Sequence, residues 1–306
     1  MNIVLAADGP LDARGTLARY HLWGEDPANQ VVGDVFRRVL RLGPRLVPYE
    51  VRCRGPVDEV QIAIRVHGRA DAAVGAAVVA EVRRILGLDL DLGGFYRIAK
   101  ADPALAPLVE PLYGLRPTLA PTAFEMLVGS ITAQQINLSF AFACRARLVR
   151  RYGTPVRMGR TTVWAFPEPA RLATARLREM RALKYSRRKA EYIRDLARAI
   201  TSGALDLDGV CAAATPAVID RLTALRGLGR WTADWFLARC LGRGDACPAG
   251  DLAVRKAFDH YYGRGRTLSE AAIRRRADAW GPYQNLAVHY LLAAMRRQRP
   301  ELGGGT

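Results

Sequence analysis

The sequence predicts an α+β protein, with a small antiparallel-sheet domain at the N-terminus and a larger all-helical part after it. Three observations predict this. Through roughly residue 88, apolar side chains alternate with others in short stretches separated by Gly-Pro or His-Gly steps. Beyond that point the recurrence lengthens to about 3.6 residues. Gly, Pro or Asp stands at most of the breaks. At 306 residues the chain is long enough for more than one packed core.

Taken in order, the stretches 31–42, 46–54 and 59–66 read as antiparallel strands joined by turns, and 70–86 reads as an amphipathic helix covering one sheet face. Helices are then expected over 103–113, 123–152, 169–183, 186–200, 216–225, 230–241, 251–262, 269–277 and 282–297. No internal repeat or low-complexity run appears. The closing ELGGGT reads as a frayed tail.

Charge narrows the partner. Forty-six basic residues against 29 acidic leave a formal net charge of +17, which favours a polyanion because each neutralised phosphate releases condensed counterions. Only four of the basic residues are lysines: Lys100, Lys184, Lys189 and Lys256. No apolar run approaches the ~18 residues of a membrane span. The opening MNIVLAADGPLDARG lacks a basic stretch before an apolar one, so no signal peptide is read there. A cytoplasmic protein with no membrane partner is expected. The five cysteines, at 53, 144, 211, 240 and 247, include no CxxC pair, so they signal neither a disulfide framework nor structural zinc. Cys240 and Cys247 have the spacing that opens some iron–sulfur ligand runs. No further cysteine follows, and no iron–sulfur cluster is expected.

The most specific local signal is AVIDRLTALRGLGRWTADWFLAR. One helix ends near Leu225, the turn Arg226-Gly227-Leu228-Gly229 follows, and a second helix starts at Arg230. Two glycines flanking one apolar residue allow a sharp reversal with positive backbone dihedrals, and Leu228 can tuck between the helices. Such a turn presents bare N–H groups at a helix N-terminus, where a phosphodiester fits without base-specific contact. The same glycines also serve a plain corner between helices. Arg226 and Arg230 on a strongly basic chain favour the phosphate reading.

Asp251 follows a Gly/Pro-rich loop, LGRGDACPAGD, and opens the helix DLAVRKAFDHYY. Aspartate here is an ordinary N-cap. It is also a carboxylate near a DNA-binding turn, suited to N-glycosidic cleavage, in which positive charge develops on the deoxyribose.

LRGLGRWTADWFLARCLGRGDACPAGDLAVRKAF resembles the helix–hairpin–helix Gly/Pro-Asp superfamily of DNA glycosylases, most closely the 3-methyladenine DNA glycosylase II branch. ILGLDLDLGGFYRIAKADPALAPLV, AFEMLVGSITAQQINLSFA, SRRKAEYIRDLARAI, WGPYQNLAVHYLL and VFRRVLRLG extend the resemblance over nearly the whole length. It implies a TATA-binding-protein-like sheet domain (1–88) and two helical subdomains (119–245; 89–118 with 246–306) facing each other across a base-binding cleft. It implies Asp251 as the catalytic aspartate, Gln135 as a wedge entering the gap left by a flipped nucleotide, and Trp231, Trp235 and Tyr283 around the base. Core packing is a rival reading for all three aromatics, and a solvated helix end is a rival for Gln134 and Gln135. The resemblance also implies a monovalent cation, sodium or potassium, on the carbonyls of Thr223, Leu225 and Leu228. No cofactor is required. A monomer acting on damaged duplex DNA is expected, in the nucleoid-associated cytoplasm of a prokaryote. Two departures stand out: Lys184-Tyr185 replaces a glycine-containing turn, and Leu252-Ala253 after the aspartate leaves a less aromatic wall.

Bifunctional members of that superfamily carry a lysine two residues after the second hairpin glycine, and here that residue is Trp231. With no lysine between 190 and 255, none is expected near the site. The predicted reaction is therefore hydrolysis of alkylated purines of the 3-methyladenine and 7-methylguanine type, with water as nucleophile. No second carboxylate or histidine accompanies Asp251 in the hairpin region, which suits a labile cationic base. The alternatives are a bifunctional oxidised-purine glycosylase/lyase and a non-catalytic DNA-damage-binding protein.

Overall fold

The computed structural model describes residues 1–298; the predicted C-terminal tail, and the last residues of the 246–306 segment, lie outside the described residues. The chain opens with β1 (Asn2–Ala6), α1 (Ala13–Leu17), α2 (Arg19–Leu22), β2 (Asn29–Val32), β3 (Val35–Leu42), β4 (Arg45–Arg54), β5 (Gln61–Val66) and α3 (Ala72–Ile85). The strands form one antiparallel sheet in the order β1-β5-β4-β3-β2. Along β5 alternate residues Ile62, Ile64 and Val66 are buried, as a one-sided sheet requires. Val74, Val78, Val82 and Ile85 of α3 meet them at helical spacing, each contributing roughly 1.5–3 kcal/mol of apolar burial. Asp71 caps α3 by accepting from Val74 N at 2.9 Å.

Two features of this layer differ from the sequence reading. The stretch 31–42 is two strands, because Gly33 takes φ +60° and Val32 pairs with Val35 across a two-residue turn. The N-terminal NIVLA adds an unforeseen fifth strand, paired from Asn2↔Arg65 to Ala6↔Gln61.

The rest comprises α4 (Leu92–Lys100), α5 (Ala106–Val109), α6 (Ala123–Ala133), α7 (Leu138–Tyr152), β6 (Thr154–Met158), β7 (Thr161–Ala165), α8 (Pro169–Ala173) and α9 (Leu177–Ala182). It continues with α10 (Arg187–Thr201), α11 (Leu207–Ala212), α12 (Thr215–Thr223), α13 (Arg230–Arg239), α14 (Leu252–Tyr262), α15 (Glu270–Asp278), a 3₁₀ turn at Gly281–Tyr283 and α16 (Gln284–Gln298). This part is not all-helical: β6 and β7 pair as a hairpin whose Met158, Val163 and Ala165 pack on Val39 of β3. The predicted helix 123–152 is interrupted at Gln134–Asn137, where Gln135 adopts φ +57° and Asn137 starts α7 by accepting from Phe140 N at 2.8 Å. The predicted helix 169–183 is likewise two pieces, and that of 103–113 shrinks to one turn. Lys184 takes φ +74°, so a non-glycine residue fills the left-handed position in the turn before α10.

One hydrophobic cluster joins Leu127, Ile131, Leu148, Ile193, Leu222, Leu228 and Phe236. A second joins Phe95, Leu105, Val254, Phe258, Trp280, Tyr290 and Leu291. Between the sheet and the helices runs a buried ionic network. Arg38 of β3 reaches Glu81 of α3 at 3.1 Å and Glu125 of α6 at 3.0 Å. Arg145 of α7 reaches Asp26 at 3.0 Å and also bonds Glu125. Asn29 donates to Glu125 at 2.8 Å, and Tyr49 donates to Glu81 at 2.8 Å.

Candidate active site

The α12–turn–α13 unit shows what each of its residues contributes. Gly227 has φ +92°, and a Cβ there would lie 2.3 Å from the Tyr192 ring, so both backbone and packing demand glycine. Gly229 differs from the expectation of paired positive dihedrals. Its backbone is extended (φ −102°), it is the N-cap of α13, and a Cβ would meet nothing within 4 Å. Leu228 is buried in the first cluster. No side chain caps the α13 N-terminus, so its first N–H groups face outward. Arg226 stacks over Tyr192 (5.3 Å) and lies 3.5 Å from Glu191; Arg230 donates to Asp234 at 2.8 Å. Both remain more than half exposed. Gly227→Ala is expected to cost about 2–4 kcal/mol, the sum of left-handed strain and overpacking against Tyr192. Urea unfolding measures it, and a loss below about 1 kcal/mol would contradict the packing described.

Asp251 caps α14. Its Oδ1 accepts from Ala253 N (2.8 Å) and Val254 N (3.1 Å), and its Oδ2 accepts from Trp231 Nε1 (2.7 Å) and Trp235 Nε1 (3.1 Å). The cap and the functional reading are therefore one geometry: the helix fixes one oxygen and the two indoles fix the other. Trp231 and Trp235 lie one turn apart on α13, so their edges converge on one point. Sequence reasoning placed these rings around a base and missed their hold on the aspartate, although their i, i+4 spacing is its signal.

Asp251, Trp231 and Trp235 line a cavity of about 1010 Å³ together with Gln134, Gln135 and Leu252. Gln134 donates to Gly227 O at 2.8 Å, tying the α6–α7 break to the hairpin. Gln135 is exposed at the cavity in its left-handed conformation, a strained backbone of the kind that clusters at functional sites. Leu252 is 64% exposed and, with Leu138, leaves apolar side chains at the rim.

Tyr283 is placed elsewhere. Its hydroxyl donates to Asp91 at 2.9 Å and packs on Gly94 at the start of α4, and it does not line the cavity. The 3₁₀ turn before α16 directs it there. The expectation that no lysine lies near the site is also corrected: Lys256 of α14 lines the cavity. So do two carboxylates, Asp26 and Glu125, both already bound within the ionic network. Sequence reasoning missed Arg19, Trp23, Arg239 and Arg296 on the same walls, because α2 and α16 come from opposite ends of the chain. At the predicted cation site, Leu225 O accepts from Leu228 N at 3.0 Å. All five cysteines are unpaired, and among the described residues no group of three or more His, Cys, Asp or Glu is placed to hold a metal ion. Among the same residues no helix is long and apolar enough to cross a membrane.

Known proteins resemble this chain in sequence and fold. The chain is 31% identical over 214 residues to the DNA-3-methyladenine glycosylase of Bacillus subtilis, covering 70% of this chain and 71% of that protein. It is 27% identical over 222 residues to DNA-3-methyladenine glycosylase 2 of Escherichia coli, covering 71% and 72%. The solved 3-methyladenine DNA-glycosylase from Archaeoglobus fulgidus superposes with a TM-score of 0.85 at 25% identity, covering 97% of this chain and 98% of that one. The family model for the HhH-GPD superfamily base excision DNA repair protein matches residues 128–282, the segment that holds the hairpin and Asp251. The chain belongs to the HhH-GPD superfamily of base excision DNA repair proteins.

Proposed function

We propose that the protein is a monofunctional DNA glycosylase that hydrolyses the N-glycosidic bond of alkylated purines in duplex DNA and leaves an abasic site. The observation that carries this reading is Asp251, a carboxylate oriented by four N–H donors on the wall of a cavity roomy enough for a flipped base, next to a glycine hairpin with no side-chain cap on the following helix. The hairpin grips a phosphate through backbone N–H groups. Gln135 fills the gap left by the flipped nucleotide, and the damaged base enters the cavity. As the C1′–N bond breaks and the base leaves with the bonding electrons, Asp251 stabilises the positive charge on the sugar, orients the water whose oxygen bonds to C1′ and takes the proton that water loses. A monovalent cation on the carbonyls of Thr223, Leu225 and Leu228 would supply positive charge beside the phosphate, and neutral oxygen donors suit such an ion. The protein acts as a monomer. The relatives named for 3-methyladenine support the alkylated-purine reading.

The test incubates alkylated duplex DNA with the protein and follows base release and strand nicking with and without alkali. Release with nicking only after alkali is expected. The lyase reading has one observation in its favour, Lys256 on the cavity wall. A borohydride-trapped adduct lost in Lys256→Ala would establish it and sink hydrolysis. DNA binding without release would leave a damage-binding protein.

The two hairpin glycines separate folding from binding. Gly229→Ala meets no steric obstacle, so stability should fall by about 1 kcal/mol or less. The added methyl holds a phosphate off the N–H groups, so duplex affinity should drop about tenfold. Unchanged affinity in a fluorescence-anisotropy titration would remove the hairpin from the DNA interface.

A further inference from the structure

The cavity that holds Asp251 and Trp235 is also lined by three arginines from distant elements: Arg19 of α2, Arg239 at the end of α13 and Arg296 of α16. Among the described residues no carboxylate pairs with any of them. Arg239 is buried and bonds the side-chain oxygen of Asn285, a neutral acceptor. Burial, then Arg19 and Arg296, push its guanidinium down to about 9, still charged at neutral pH. Burial, then Arg239 and Arg296, depress His289 beside it. Arg19 and Arg296 line the cavity and are exposed, although protein crowds their other sides. The neighbouring network offsets only part of this charge. Its three carboxylates, Asp26, Glu81 and Glu125, already face two guanidiniums, Arg38 and Arg145.

Trp235 gives the scale. Its Nε1 lies 3.1 Å from Asp251, and its ring lies 5.2 Å from the Arg239 guanidinium. A purine is about the size of an indole, so a base with its glycosidic nitrogen at Asp251 extends across the width of that ring toward Arg239, in the cavity that Arg19 and Arg296 also line. The guanidinium of Arg239 already occupies the Trp235 ring, which weakens the cation–π attraction expected for a cationic base. Unpaired cations on a cavity wall are satisfied by acceptors or negative charge.

We propose that Arg19, Arg239 and Arg296 form a specificity wall that favours purines whose outer edge carries oxo acceptors or negative charge over cationic ones. The inference rests on the glycosylase activity proposed above and goes beyond its substrate class: alkylated purines are still released, but with a smaller gain over their spontaneous loss than oxo or anionic purines. Xanthine, a 2,6-dioxopurine that is largely anionic near neutral pH, and 3-methyladenine, a cation in DNA, are the opposing probes.

Single-turnover release from duplexes carrying each lesion, expressed relative to spontaneous loss, is expected to favour xanthine in the wild-type protein. The Arg19→Gln/Arg296→Gln pair should shift that ratio toward 3-methyladenine by about tenfold or more, the size of one charge-assisted hydrogen bond. The Arg19→Lys/Arg296→Lys pair should restore it. A wild-type preference for 3-methyladenine, or a ratio unmoved by the glutamine pair, overturns the proposal. Release of neither base would instead sink the glycosylase reading. Binding of the free bases, xanthine above its pKa and 3-methyladenine below its own so that each carries its charge, read by tryptophan fluorescence, then decides the wall. Xanthine binding about tenfold tighter, with the difference lost in the glutamine pair, supports it; equal binding overturns it.

Discussion

Asp251→Asn is expected to lower base release about 10³-fold, on the order of 4 kcal/mol of transition-state stabilisation, while leaving the fold intact. Asparagine caps a helix as well as aspartate does, so α14 keeps its start. The amide cannot satisfy both sides of the site, however. If its oxygen caps Ala253 and Val254, its NH₂ faces the two indole N–H donors that now meet Oδ2. The negative charge that offsets the developing sugar cation is gone as well. Single-turnover release on alkylated duplex DNA, with thermal unfolding as control, checks this. A variant that keeps more than a tenth of the wild-type rate removes Asp251 from catalysis. Trp231→Phe is the graded companion, because Trp231 is a positioning residue that acts through Asp251. Loss of its 2.7 Å bond should slow the chemical step about tenfold and alter its pH profile without weakening duplex binding.

Glu125→Gln is expected to destabilise the folded protein by about 3–5 kcal/mol at pH 7, because it strips one carboxylate from two buried guanidiniums. Burial pushes the Glu125 carboxyl up, but Arg38 and Arg145 win and hold it at about 2, below the ordinary value of 4.5. A carboxyl depressed in the folded state stabilises fully above its unfolded value, and that stabilisation is lost as pH falls through the folded value. The difference between wild type and variant should therefore be full above about pH 4.5 and shrink toward pH 2. Urea unfolding at pH 7 and pH 3 measures it. A gap that stays constant or widens on acidification would contradict the network's charge assignment. Asp26 and Glu125 also line the cavity, so the same variant loosens one wall of the site.

Much of the fold was legible because it rests on local regularities. Period-2 burial marked β4 and β5, 3.6-residue spacing marked α3 and α10, and Ser186, Asp251 and Ser269 announced the helices they cap. What escaped was set by breaks without a strong signal. Gln135 and Lys184 take left-handed dihedrals that glycine would have advertised, and β6–β7 is short enough to hide between helices. β1 was missed because a strand at a sheet edge gains its hydrogen bonds from a partner some sixty residues away.

The candidate site divides in the same way. The glycine hairpin, the tryptophan in place of a lyase lysine and the aspartate that opens α14 could be read from local order alone, because each depends on residues close along the chain. Long-range packing set the rest: both indoles bond to Asp251, Tyr283 turns away to Asp91, and Lys256 and three arginines with no carboxylate partner among the described residues share the cavity. Those facts depend on where α2, α13, α14 and α16 meet. Apolar packing settles that meeting over the whole chain, and no local pattern of spacing or charge encodes it.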